Sequence, residues 1–314
     1  MKPQSHPMLR PVFRLFVCGL AALLALPACD RDHDEDAQGH EEPIEIRFAA
    51  KVGSEDFACT KAFTGVGGGA GVTLEPLDFR VYVHDLRLVD ASGGEWPVTL
   101  AADGLWQTDV VALLDFEDKG GTCANGTAPT NSVVKGTYDV GDDEAMVRPG
   151  VFTGLRFKVG VPFAANHGDA ATALSPLNLS GLFWSWQGGY KFMRIDMQFA
   201  AAVSGEDPSA RGSGLQLHLG STGCSLDVPT QSVGACSAPN RPEIALAGFD
   251  PNTDTVVIDY AAIVAGVDLS RDMGGAPGCM SGQDDPECAA IFDHLGLDLA
   301  TGATKVGQSA FRLE

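Results

Sequence analysis

Beyond residue 43, apolar and polar positions alternate with a period of two through most of the chain. Ile44, Ile46, Phe48 and Ala50 share one face of a first predicted strand, with Glu45 and Arg47 on the other. In FRVYVHDLRLVD, Tyr82, His84, Leu86 and Leu88 align on one face, as do Val151, Thr153, Leu155, Phe157 and Val159 further on. Met193, Ile195, Met197 and Phe199 alternate with Arg194, Asp196 and Gln198. Leu215, Leu217 and Leu219 leave Gln216 and His218 on the opposite face, and Ile244 with Leu246 and Val256 with Ile258 mark two more strands. Short strands with one apolar face, separated by Gly, Pro, Asp and Asn turns, predict an all-β fold. The expected form is an antiparallel β-sandwich, Ig-like or barrel-like, with long disulfide-stapled loops. One short C-terminal helix is expected in DDPECAAIFDHLG, with Asp285 as N-cap, Pro286 in the first turn and Gly296 beyond the end. PLNLSGLFWSWQGGYKFMRIDMQF reads as one continuous extended run carrying Trp184 and Trp186 on a shared face.

The first residues follow another pattern. Lys2, Arg10 and Arg14 precede an apolar stretch from Val17 to Leu26, and Leu26-Pro27-Ala28-Cys29 closes it. A basic opening, a short apolar core and small residues before a cysteine describe a bacterial export signal whose Cys29 becomes lipidated. Residues 1–29 are therefore expected to be a signal peptide. Residues 30–42 read DRDHDEDAQGHEE, which lacks core formers and is expected to be a solvated acidic tether. Residues 43–314 are expected to form the β-sandwich domain. A periplasmic or outer-surface location, lipid-anchored to a bacterial membrane, follows.

The chain has 41 acidic and 21 basic side chains and a formal net charge of −20, which argues against nucleic-acid binding. Cys59, Cys123, Cys224, Cys236, Cys279 and Cys288 follow the tether, an even number in an oxidising compartment. Nearest-neighbour pairing gives Cys59–Cys123, Cys224–Cys236 and Cys279–Cys288. No CxxC or CxxCH occurs, which removes thioredoxin-like, zinc-ribbon and haem-attachment readings. HExxH, GxSxG and GxxxxGK[ST] are also absent. Asp250-x-Asn252-x-Asp254 fails as a calcium loop, because Thr255 stands where Gly is needed and Ala261 where Glu is needed.

Histidine is the commonest copper and zinc ligand. His84 and His218 lie on predicted strands, and His167 in the loop VPFAANHGDA. Each alone reads as a hydrogen-bonded structural residue. Their surroundings add weight: DFRVYVHDLRLV (78–89), LWQTDVVALLDFED (105–118), GVPFAANH (160–167), SPLNLSGLFWSWQGGYKFMRID (175–196), LHLGSTGC (217–224) and GAPGCMSGQDDPEC (275–288) together resemble the MbnP-like proteins, also called four-Cys metallo-mystery-pair proteins. The resemblance covers roughly residues 44–290. It implies a periplasmic or lipid-anchored β protein that binds copper and works with a di-haem cytochrome c peroxidase-like partner. That partner is understood to oxidise a tryptophan to kynurenine. Carried over, it implies His84, His167 and His218 as metal ligands and Trp186, Trp184 or Trp106 as the modified residue, with Trp186 favoured. The chemistry is coherent, because an indole nitrogen commits its lone pair to the ring, whereas kynurenine carries an arylamine. Imidazoles plus such an amine suit copper better than calcium or magnesium. Two competing readings use the same residues: a secreted metal-dependent enzyme, and a metal-free structural or adhesion sandwich.

Overall fold

The computed structural model describes residues 40–68, 72–141, 152–200, 214–230, 232–270 and 272–314. The export signal, Cys29 and residues 30–39 of the tether lie outside these residues.

Strands run as β1 (Glu41–Val52), β2 (Glu55–Asp56), β3 (Phe63–Thr64), β4 (Thr73–Asp90), β5 (Glu95–Pro97), β6 (Thr99–Leu100), β7 (Ala112–Asp115), β8 (Val133–Asp139) and β9 (Phe152–Val159). A short helix α1 (Phe163–Asn166) and a 3-10 turn (Ser180–Leu182) lead to β10 (Phe183–Ser185), β11 (Gly189–Tyr190), β12 (Met193–Phe199) and β13 (Gly214–Leu219). Then come β14 (Thr222–Asp227), β15 (Ser232–Ala238), β16 (Glu243–Ala247), β17 (Thr255–Asp259), α2 (Tyr260–Ile263), β18 (Gly278–Cys279), α3 (Cys288–His294) and β19 (Phe311–Leu313).

Two sheets enclose the core. The smaller has the order β19-β17-β1-β8-β6, with β2 also on β1; the larger has β16-β9-β4-β12-β13-β18, with β3, β5 and β7 also on β4. Ile46, Phe48, Ala50 and Val52 of β1 point inward, as their alternation predicts. Edge-to-face ring pairs tie the sheets together: Phe48 with Phe157 at 5.6 Å, Phe157 with Phe311 at 5.6 Å, and Tyr138 with Phe152 at 5.2 Å.

The expected all-β class is observed, with four local departures. Strands β1 and β17 pair in parallel, as do β13 and β18, because long crossovers return the chain beside an earlier strand. Three short helices lie among the described residues rather than one; α3 is the expected one, but its N-cap is Glu287, with Asp285 accepting from the Glu287 amide at 3.3 Å. Strand β1 begins at Glu41, two residues inside the stretch read as tether. Finally, the tryptophan-bearing run is broken. Gly188 and Gly189 turn the chain back on itself, so β10 and β11 form a small hairpin before β12 begins.

The three disulfides are the nearest-neighbour set. Cys59–Cys123 spans 64 residues, Cys224–Cys236 joins directly opposed residues of the β14–β15 hairpin, and Cys279–Cys288 ties β18 to α3.

Strand β4 bends where chemistry gathers. Asp85 has φ +52°, and the register against β9 shifts between His84 and Arg87. One extra residue in a ladder reverses every following side chain. Tyr82 and His84 therefore lie on the outer face of the large sheet, whereas Leu86 and Leu88 return to the core. The single face expected for Tyr82 through Leu88 is split by this bulge.

Candidate metal centre and its neighbours

The outer face of the large sheet is covered by chain and carries charge. Along one row lie Asp115 of β7, Arg80 of β4, Arg194 of β12 and His218 of β13, each opposite the next. Asp78 and Asp196 stand opposite each other one step along. Arg80 Nε donates to Asp78 at 2.7 Å, Arg194 Nε to Asp196 at 2.7 Å, and His218 Nε2 to Asp196 Oδ1 at 2.8 Å. Arg194 Nη1 also donates to the Gly181 carbonyl at 3.0 Å, binding the network to the 3-10 turn that leads into the covering hairpin. Burial pushes the Asp196 carboxyl upward, but His218 and Arg194 outweigh it and hold it below its ordinary range. Asp115, whose neighbours include further carboxylates, is pushed by burial up to about 7. This constellation was not singled out in the sequence. Its available signal was the opposite-charge spacing of Asp78-x-Arg80 and Arg194-x-Asp196.

The three candidate histidines share one feature. In each, one ring nitrogen is anchored by an acceptor while the other is not. His84 Nδ1 donates to the Gly160 carbonyl at 2.9 Å, and the residue lines a cavity of about 590 Å³. His218 Nε2 is held by Asp196, and its buried Nδ1 has no partner among the described residues. His167 Nδ1 donates to the Trp186 carbonyl at 3.0 Å; its Nε2 meets the Asn166 amide at 3.1 Å and Cys236 Sγ at 3.5 Å. Anchoring one nitrogen on an acceptor fixes the tautomer and leaves the other nitrogen with a lone pair, the usual arrangement of a metal-binding imidazole; in His167 that lone pair accepts from the Asn166 amide, a contact that an ion there would displace. Burial lowers His84 to about 4 and also lowers His167, so both are neutral near pH 7.

They do not gather at one point. His218 opposes Arg194, which opposes Arg80, so two strands and four residues separate His218 from His84. At ~3.3 Å per residue and ~4.8 Å per strand, their Cα atoms lie roughly 16 Å apart. His167 stands nearer to His84: the Phe163 ring lines the His84 cavity and lies 5.1 Å from the His167 ring.

The tryptophans are placed apart. Trp186, 39% exposed in the turn of the β10–β11 hairpin, lines a cavity of about 570 Å³ with His167, Asp169 and Phe183. Trp184 is half-buried and lies over Gly220, where a Cβ would fall 2.4 Å from the indole ring. Its cavity, about 400 Å³, includes Thr222, Cys224 and Met280. The face expected to be shared by the two indoles is lost in the hairpin turn. Trp106 is half-buried against the core in the loop between β6 and β7. Of the candidates, the structure brings together His167 and Trp186, with Asp169 beside them.

Two donor groups among the described residues lie within 4.8 Å: His167 with Cys224 and Cys236, and Glu117 with Cys59 and Cys123. In both, the sulfurs are bonded to each other and are not thiolates. The donors that the bonded sulfurs leave for a metal ion near His167 are imidazole nitrogens and nearby oxygens, a set suited to a borderline ion.

The fold and these anchored imidazoles define a disulfide-stapled all-β protein with a histidine-centred site beside a tryptophan hairpin. The chain belongs to the MbnP family, whose model matches residues 41–281. A solved structure, MbnP from Methylosinus trichosporium, is 31% identical with a TM-score of 0.73, covering 87% of this chain and 98% of that one. No curated protein matches.

Proposed function

We propose that the chain is a non-enzymatic copper-binding lipoprotein, exported and anchored through Cys29, that acts in copper handling. Membership of the MbnP family supports this reading. The observation that carries it is the pairing of His167 with Trp186: one hydrogen bond fixes the imidazole tautomer, and both side chains line one cavity. His167 and Asp169 would hold the ion, together with an amine derived from Trp186. Borderline copper favours such nitrogen donors over an all-oxygen cage.

An intact indole has no lone pair to offer. Cleavage of its C2–C3 bond with addition of two oxygen atoms, then hydrolytic loss of C2 as formate, leaves kynurenine with a free arylamine. Two molecules of hydrogen peroxide would be the oxidant, each giving one oxygen atom and leaving as water, with a di-haem cytochrome c peroxidase-like partner as the catalyst. Trp186 is the better target because it stands exposed at a hairpin turn, whereas Trp184 is packed over Gly220. Peptide mass spectrometry of protein co-produced with such a partner tests this step. Kynurenine at Trp186 is expected; intact indoles at Trp184, Trp186 and Trp106 in copper-loaded protein would remove the maturation step.

A further inference from the structure

Arg241 is placed unlike the other described arginines of this acidic chain. Arg80, Arg87, Arg156, Arg194 and Arg312 each have a carboxylate within 4.0 Å, and Arg47 Nη2 donates to the carbonyls of Pro251 and Asp254. Among the described residues Arg241 donates only through Nε, to the Val161 carbonyl at 2.8 Å. Its Nη2 is shut away from solvent and has no partner among them. The guanidinium is nonetheless held in place, 5.2 Å from the centre of the Phe192 ring and 5.9 Å from that of Phe163. Gly160 makes the room: a Cβ there would lie 2.9 Å from the Phe192 ring and 3.3 Å from Arg241 Cγ. Burial, with no carboxylate to oppose it, lowers Arg241 to about 10. A fixed, partly desolvated cation without a close anion is costly, and a protein with 41 acidic residues had ready means to pair it.

Of the two cations lining the cavity beside it, Arg241 is the one without a carboxylate within 4.0 Å. Lys158 is matched by Asp85 at 2.8 Å, and His84 is neutral. Asp85 and Asp109 also line the cavity and oppose a second negative charge on any occupant, whereas Val98, Leu100, Val110 and Phe163 form an apolar wall. We propose that this cavity binds a small organic monocarboxylate, its carboxylate on the Arg241 guanidinium and its apolar part against Phe163 and Val110. A carboxylate oxygen can accept from Nη1, the guanidinium nitrogen that neither Val161 nor burial takes up, and a dianion such as phosphate would be opposed by Asp85 and Asp109. The site is separate from the copper reading and stands without it.

The test is calorimetric titration of the metal-free full chain with phenylacetate, and with phenylacetamide as the neutral isostere. Saturable binding of phenylacetate alone is expected. Arg241→Gln should weaken it about ten- to hundredfold, the worth of one charge-assisted contact, with Arg241→Lys falling between. Circular dichroism checks that these variants fold. Val110→Glu, at an exposed wall position, provides a second route: it adds a negative charge and should also weaken binding. Absence of saturable binding to the folded chain, equal binding of the amide, or undiminished binding in folded Arg241→Gln or Val110→Glu would each overturn the proposal.

Discussion

His218 Nε2 and Asp196 Oδ1 meet at 2.8 Å under the covering hairpin, both side chains almost closed to solvent. Asp196 also receives Arg194, so its carboxylate is satisfied from two sides. Removing one partner from a buried charged pair leaves the other desolvated and short of a contact. His218→Ala should therefore cost about 3 kcal/mol in urea unfolding. Copper content of the folded fraction should stay unchanged, since this imidazole braces the sheet.

Stability should depend on pH through His84. Its pKa falls from 6.5 in the unfolded chain to about 4 on folding, so within that window the folded state holds fewer protons. The neutral, buried imidazole is fully favourable above the window, and stability drops as pH is lowered through it. The contribution is on the order of 3 kcal/mol. Asp115, raised to about 7, has the opposite slope, gaining stability as pH falls towards its unfolded value. His84→Gln isolates the first term. Unfolding free energies across pH 4–7 should decline less steeply on acidification in the variant than in the parent.

The disulfides should differ in worth. Cys59–Cys123 closes a separation of 64 residues and Cys279–Cys288 one of 9. Restricting the unfolded chain predicts losses of about 4 kcal/mol and about 3 kcal/mol when each pair is changed to serine. Thermal unfolding of the two double-serine proteins measures the order.

Period-two alternation carried most of the strands, because a face buried between sheets must be apolar whatever its neighbours do. It could not report what covers the other face. Asp78, Arg80, Arg194 and Asp196 read as outward polar positions, yet the segment from Gly160 to Phe192 folds over them. Nor could it see the bulge at Asp85, where an ordinary aspartate adopts positive φ and moves Leu86 back to the core. The Cys224–Cys236 pairing was legible because a short hairpin sets its cysteines opposite each other. The hairpin at Gly188 and Gly189, which parts Trp184 from Trp186, was hidden within a run of strand-forming residues. His84, His167 and His218 were each found as candidates, but their separation depends on register, which local sequence does not encode.

The proposed copper site is His167 beside Trp186. Metal analysis of protein matured with its partner, comparing the parent, His167→Ala and the double variant His84→Gln/His218→Gln, tests it most directly. A folded His167→Ala protein should lose its copper while the double variant keeps it. Full copper in His167→Ala, with loss in the double variant, would contradict the account.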